Sequence, residues 1–132
     1  MSQSEKLSKP LCIIASILLL IMALFHGSGI NYVNDIVKAS NVEGFIKDIF
    51  PVLFILPTIQ LIGLAVFGFI AISMKQLAYK ILIPVSTFAF IDALFAFYLN
   101  AIIPGLILIL PTVLYMLAAY WYKSSSEPKT AN

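Results

Sequence analysis

Asp92 stands alone as an acid within a long apolar run, and the single histidine of the chain, His26, closes another such run. A carboxylate and an imidazole are the side chains proteins most often use to take up and release protons near neutrality. In hydrocarbon an ionised carboxylate is costly, so Asp92 must face other helices, carry a proton or find a partner. His26 is the first candidate, as an ion pair or as a neutral hydrogen-bonded pair. Gln60, Asn100 and Tyr98 could add hydrogen bonds, and Thr58, Thr112 and Tyr115 are further polar groups within apolar stretches, with Ser86 and Thr87 toward the other side. The ligand-binding or proton-carrying candidates are therefore Asp92, His26, Gln60, Thr58, Thr112, Tyr115 and Asn100. The plainer alternative is that Asp92 and His26 only cross-link helices, since interhelical hydrogen bonds in membranes contribute about 0.6 to 2 kcal/mol.

The chemistry that is missing narrows the field. A single cysteine, Cys12, excludes an internal disulfide, a CxxC redox pair and a cysteine-rich zinc site. It lies at the start of an apolar run, where a small packed or lipid-facing side chain is expected. All eight basic residues are lysines, and the absence of arginine weakens any nucleic-acid reading, which relies on the planar guanidinium. No cofactor motif and no metal-ligand set is present. Ser28 beside His26 is the only candidate nucleophile near an imidazole, and no motif supports it.

These residues sit in a chain of 132 residues that is 61% hydrophobic and 11% charged, with a mean hydropathy of +1.03. Soluble domains are nearer one quarter charged. The apolar residues form four blocks, about 11–30, 49–73, 77–99 and 102–122, each approaching or exceeding the roughly 20 residues that cross a bilayer. The expected architecture is an all-α membrane protein: four transmembrane helices in one antiparallel bundle, forming a single domain.

Pro10 suits the first turn of the first span, because its missing N–H would be unpaired there. Lys6 and Lys9 precede that span as in a signal peptide, but the run is too long and lacks a small-residue cleavage site, so it reads as a retained helix. Gly27-Ser28-Gly29 loosens its end. In the loop 31–48, Ile30, Val33, Ile36 and Val37 recur at helical spacing, predicting a short amphipathic helix at the interface between spans 1 and 2. Ser40-Asn41-Val42-Glu43 has the form of a capping box that would start a further helical turn through Phe45 and Ile46. Pro57 should kink the second span, and Pro104, Gly105, Pro111 and Thr112 should interrupt the fourth. Residues 123–132 read as a disordered polar tail.

Lys6, Lys9, Lys75, Lys80, Lys123 and Lys129 fall in the two tails and the second connection, whereas the first loop mixes Lys38 and Lys47 with Asp35, Glu43 and Asp48. The positive-inside rule then places both termini in the cytoplasm of a multi-pass protein of the cell membrane. In that topology His26, Thr58, Gln60, Asp92, Thr112 and Tyr115 fall in the outer half or near the midplane, predicting an outward-facing polar pocket. Ala89, Ala93 and Ala96, with Ala65 and Gly68, offer small faces for close helix approach.

The four-span pattern, Ala23-Leu24-Phe25-His26-Gly27 at the end of the first span and the loop helix ending at Ala39-Ser40 resemble a group of small four-helix proteins of the bacterial inner membrane, distantly DoxX-like. That resemblance implies the four-helix fold and supplies no catalytic residue. The chain departs from small multidrug transporters, which carry their coupling glutamate in the first helix.

Three classes of function fit these residues. The first is a lipid-binding or lipophilic small-molecule-binding protein, or an accessory subunit, with possible partners in the bilayer, a homo-oligomer or a larger membrane complex. The second is a proton-coupled transporter using Asp92, and the third a lipid-modifying enzyme using His26 and Asp92.

Overall fold

A computed structural model describes residues 3–126. These form five α-helices and no strand: α1 (Gln3–Ser28), α2 (Ile30–Ala39), α3 (Gly44–Ser73), α4 (Ala78–Tyr98) and α5 (Ile102–Ser126). Four helical segments are long and apolar enough to cross a membrane: α1 together with α2, then α3, α4 and α5. Helix is the expected state for such runs, because hydrocarbon offers no partner for a free backbone amide or carbonyl.

Several elements extend past their expected limits. α1 begins before Pro10, which is therefore internal; the missing amide affects one carbonyl, that of Lys6, in an exposed stretch. α1 does end at Ser28, whose Oγ donates to the Phe25 carbonyl at 2.8 Å. Gly29 keeps a helical backbone (φ −75°, ψ −8°), so α2 follows after a single turn residue. α3 begins five residues ahead of the expected span and runs unbroken through Pro51 and Pro57. At 30 residues it is about 45 Å long, more than the roughly 30 Å of hydrocarbon.

The expected capping box does not form. Ser40 Oγ donates backwards to the Val37 carbonyl at 2.6 Å and closes α2, while Glu43 precedes α3 without a side-chain cap. Phe45 and Ile46 belong to α3 rather than to a separate turn. Lys47 Nζ reaches the Lys38 carbonyl at 3.0 Å and ties the end of α2 to the start of α3.

α5 is likewise continuous. Pro104 occupies its third position, where an amide is not needed, and Gly105 lets the Phe97 ring lie against the backbone, 2.6 Å from where a Cβ would be. Residues 123–126, expected in the tail, are helical, with Tyr122 buried just before them and Lys123 placed favourably for the helix dipole. The remainder of that tail, 127–132, lies outside the described residues.

The helices pack as a ring in chain order. α4 lies most extensively on α5, α1 on α5 and α3, and the α3–α4 side is the loosest. Small residues line the tight sides: Ala15, Ala65, Ala71, Ala78, Ala89, Ala93 and Ala118 are fully buried. At the α1–α3–α5 junction, Ser16 Oγ and Tyr115 Oη share a hydrogen bond of 2.8 Å. Gly68 makes room for it, since a Cβ there would collide with both hydroxyls. The outer surface carries large apolar side chains, among them Leu24, Phe25, Phe67, Phe95 and Ile103, as a surface facing lipid requires.

Candidate functional site

Asp92 pairs with Gln60. Gln60 Nε2 on α3 donates to Asp92 Oδ1 at 2.9 Å and to Oδ2 at 3.1 Å, bridging the loose side of the ring to α4. Both carboxylate oxygens lean on one amide nitrogen. Asp92 is half-buried because Ala89 and Ala93 beside it draw α4 into the bundle, while Gln60 is exposed.

The expected pairing of Asp92 with His26 is not made. His26 Nε2 lies 3.0 Å from the Phe54 carbonyl, and since a carbonyl only accepts, that nitrogen carries the hydrogen. Its ring also stacks on the Phe54 ring, with centroids 4.5 Å apart and planes 16° from parallel. His26 is thus occupied as a clasp between α1 and α3, one turn from Thr58. Thr58 Oγ1 is buried with no hydrogen-bond partner, and Gly27 faces it, a Cβ there falling 3.1 Å from Thr58 Cγ2. A hollow of about 490 Å³ lies here, lined by Leu20, Ala23, Leu24, Gly27, Ser28, Thr58 and Ile62.

The other candidates do other work. Thr112 Oγ1 donates to the Leu108 carbonyl of its own helix at 2.9 Å. Tyr115 is fully buried on Ser16, a partner the sequence reading did not single out. Asn100 takes a left-handed backbone (φ 60°) at the end of α4. Its amide returns to the Phe97 carbonyl at 3.0 Å and that of Ala101 to the Ala96 carbonyl at 2.8 Å, the paired bonds of a Schellman cap. Asn100 therefore turns the chain. Of the seven candidates, Gln60 and Asp92 meet directly, and His26 and Thr58 share the α1–α3 side.

A groove of about 550 Å³ lies between α3 and α4, with Gln60 of the Gln60–Asp92 pair in its lining. Leu64 and Val85 form its buried floor, and Phe67, Pro84 and Phe88 its exposed rim. Gln60 lines it on α3, and Lys80 on the first turn of α4. At Gly63, which also lines it, a Cβ would meet nothing within 4 Å. The sequence held a signal for these residues: Gln60, Leu64 and Phe67 on α3, and Lys80, Pro84 and Phe88 on α4, each fall on one helix face. An apolar face is ordinary in a membrane span, so this spacing alone did not mark a groove.

The chain matches no family model, no curated protein and no solved structure. His26 and Asp92 engage different partners, so they do not form an acid–base couple, and Ser28 Oγ is turned to the Phe25 carbonyl. Among the described residues no three of His, Cys, Asp and Glu gather as a metal site. What the geometry offers is a ligand-sized apolar groove with an amide and a carboxylate beside one part of it and an ammonium group at another.

Proposed function

We propose that this chain is a multi-pass protein of the cell membrane that binds a lipid or another small lipophilic molecule in the α3–α4 groove, by itself or as an accessory subunit of a larger assembly. Its four spans run antiparallel, α2 lies along the interface, and both termini are cytoplasmic, which follows the lysine distribution. Kinship with the small DoxX-like proteins belongs to the same proposal and rests on the span pattern and the His26-Gly27 pair. The observation that carries the binding reading is the groove itself: about 550 Å³, apolar on floor and rim, with Gln60 as an orienting polar group. With cytoplasmic termini it occupies the inner half of the bundle, between Lys80 and Gln60, and not the outer half where the polar residues led to the expectation of a pocket.

Gly63 provides the test. Because a Cβ there meets nothing, Gly63→Leu or Gly63→Phe fills the groove while leaving the helix intact. Protein purified in mild detergent should retain bound lipid in native mass spectra, and both variants should lose it while keeping their helical circular dichroism. Equal lipid retention by the native chain and both variants would count against this reading.

A second reading rests on one observation, that the carboxylate of Asp92 bridges the loosest helix pair. In a proton-coupled transporter that bond would break and re-form as α3 and α4 move. Vesicles under a pH gradient decide it: solute flux must appear and must be lost in Asp92→Asn.

A further inference from the structure

Among the described residues, Lys80 is the one charged residue lining the α3–α4 groove. It is exposed and makes no ion pair among the described residues. Its neighbours along the chain are basic or neutral: Lys75 lies in the preceding turn, and no acidic residue occurs between Asp48 and Asp92. From Lys80 the helix rises about 12 Å to Phe88 and about 18 Å to Asp92. One leaflet of a bilayer has about 15 Å of hydrocarbon, half of the roughly 30 Å core. The groove therefore has a cation at one end, apolar walls for about the depth of a single leaflet, and the first neutral polar group, Gln60, beyond it.

We infer that the groove selects an anionic membrane lipid, with its headgroup on the Lys80 ammonium and an acyl chain laid between Phe67 and Phe88 toward Gln60. This rests on the lipid-binding reading of the same groove and adds the sign of the headgroup charge. A zwitterionic lipid would fill the same walls but bring its own cation to Lys80. A hydrophobic molecule without a headgroup would leave Lys80 unpaired. A free anion would gain nothing from the apolar walls. One lysine near a membrane surface contributes a preference of about fivefold for an anionic over a zwitterionic lipid.

The experiment places a reporter on the rim. Phe88→Trp in a Trp121→Phe background gives a single tryptophan at the groove, reconstituted in phosphatidylcholine vesicles. Increasing mole fractions of dibrominated phosphatidylglycerol, or of dibrominated phosphatidylcholine, are then titrated in. The anionic phosphatidylglycerol should quench at about fivefold lower mole fraction than the phosphatidylcholine. Lys80→Arg should keep that ratio and Lys80→Gln should bring it close to one. A ratio near one with Lys80 intact, or a preference that survives in Lys80→Gln, overturns the inference. Equal quenching by both lipids that Gly63→Leu and Gly63→Phe abolish would leave the groove reading standing and remove only the headgroup preference. Quenching that neither Gly63 variant alters would remove both.

Discussion

Gly68 and Asp92 show how much a single side chain decides in this bundle. Gly68 sits where the Ser16 and Tyr115 hydroxyls meet, so a methyl group there must displace one of them. Gly68→Ala should lower stability by about 1 to 3 kcal/mol, the usual cost of overpacking, read as earlier thermal unfolding in detergent. Adding Tyr115→Phe should recover part of that loss by removing the nearer hydroxyl, whereas Tyr115→Phe alone should cost about 1 kcal/mol for the lost bond. At Asp92 the question is whether the Gln60 bond carries stability. A double-mutant cycle over Gln60→Leu and Asp92→Leu, each of which removes the bond, should return a coupling of about 0.6 to 2 kcal/mol; a coupling near zero would make the pair incidental. Asp92 can be picked out from sequence because an acid in hydrocarbon needs a partner, and Gln60 is one of the side chains able to supply it. Pairing by charge points to His26 instead and fails because it ignores the backbone. The Phe54 carbonyl and ring hold the imidazole, and neither appears as a polar residue in the sequence.

At the scale of the helices, the connections hold positions whose conformation is unusual enough to test. Among the described residues, Asn100 and Lys75 are the two non-glycine positions with positive φ, 60° and 48°. Asparagine tolerates this conformation and lysine less so, which leads to opposite expectations. Asn100→Gly should be close to neutral and Asn100→Val should cost about 1 to 2 kcal/mol, while Lys75→Gly should stabilise by about 1 kcal/mol. Thermal unfolding of the three variants side by side checks this. The four apolar segments and the loop helix were legible in the sequence, since length and periodicity are properties of the residues alone. The helix ends and the prolines were less so. Pro10 reads as a helix start, Pro57 as a kink and Pro111 as an interruption, yet each lies inside an unbroken helix from which it removes only one amide, and Ser40 caps the helix behind it rather than the one ahead.

For the whole molecule, the uneven ring of helices matters more than any one contact. α1 with α3 and α4 with α5 form two close pairs joined firmly along α1–α5, which leaves α3 against α4 as a seam. The sequence showed small faces on both α3 and α4 but not which side would stay open, because that depends on how the four surfaces divide among neighbours. The lysine pattern makes a separate prediction about placement. Maleimide labelling of Ser124→Cys should occur from the cytoplasmic side only and of Asn41→Cys from the outside only, with the buried Cys12 unreactive from either. Labelling of both variants from the same face would reverse the proposed topology.

The exposed rim formed by Phe67, Pro84 and Phe88 has a further consequence for how binding is measured. A groove open sideways to hydrocarbon fills by exchange with whichever lipid stands next to it, so a ligand arrives from within the bilayer rather than from water. Its affinity is then a ratio between competing lipids, set by mole fraction and insensitive to bulk aqueous concentration. A titration from the aqueous phase would report partitioning into the vesicle, and only competition at fixed total lipid would report the protein.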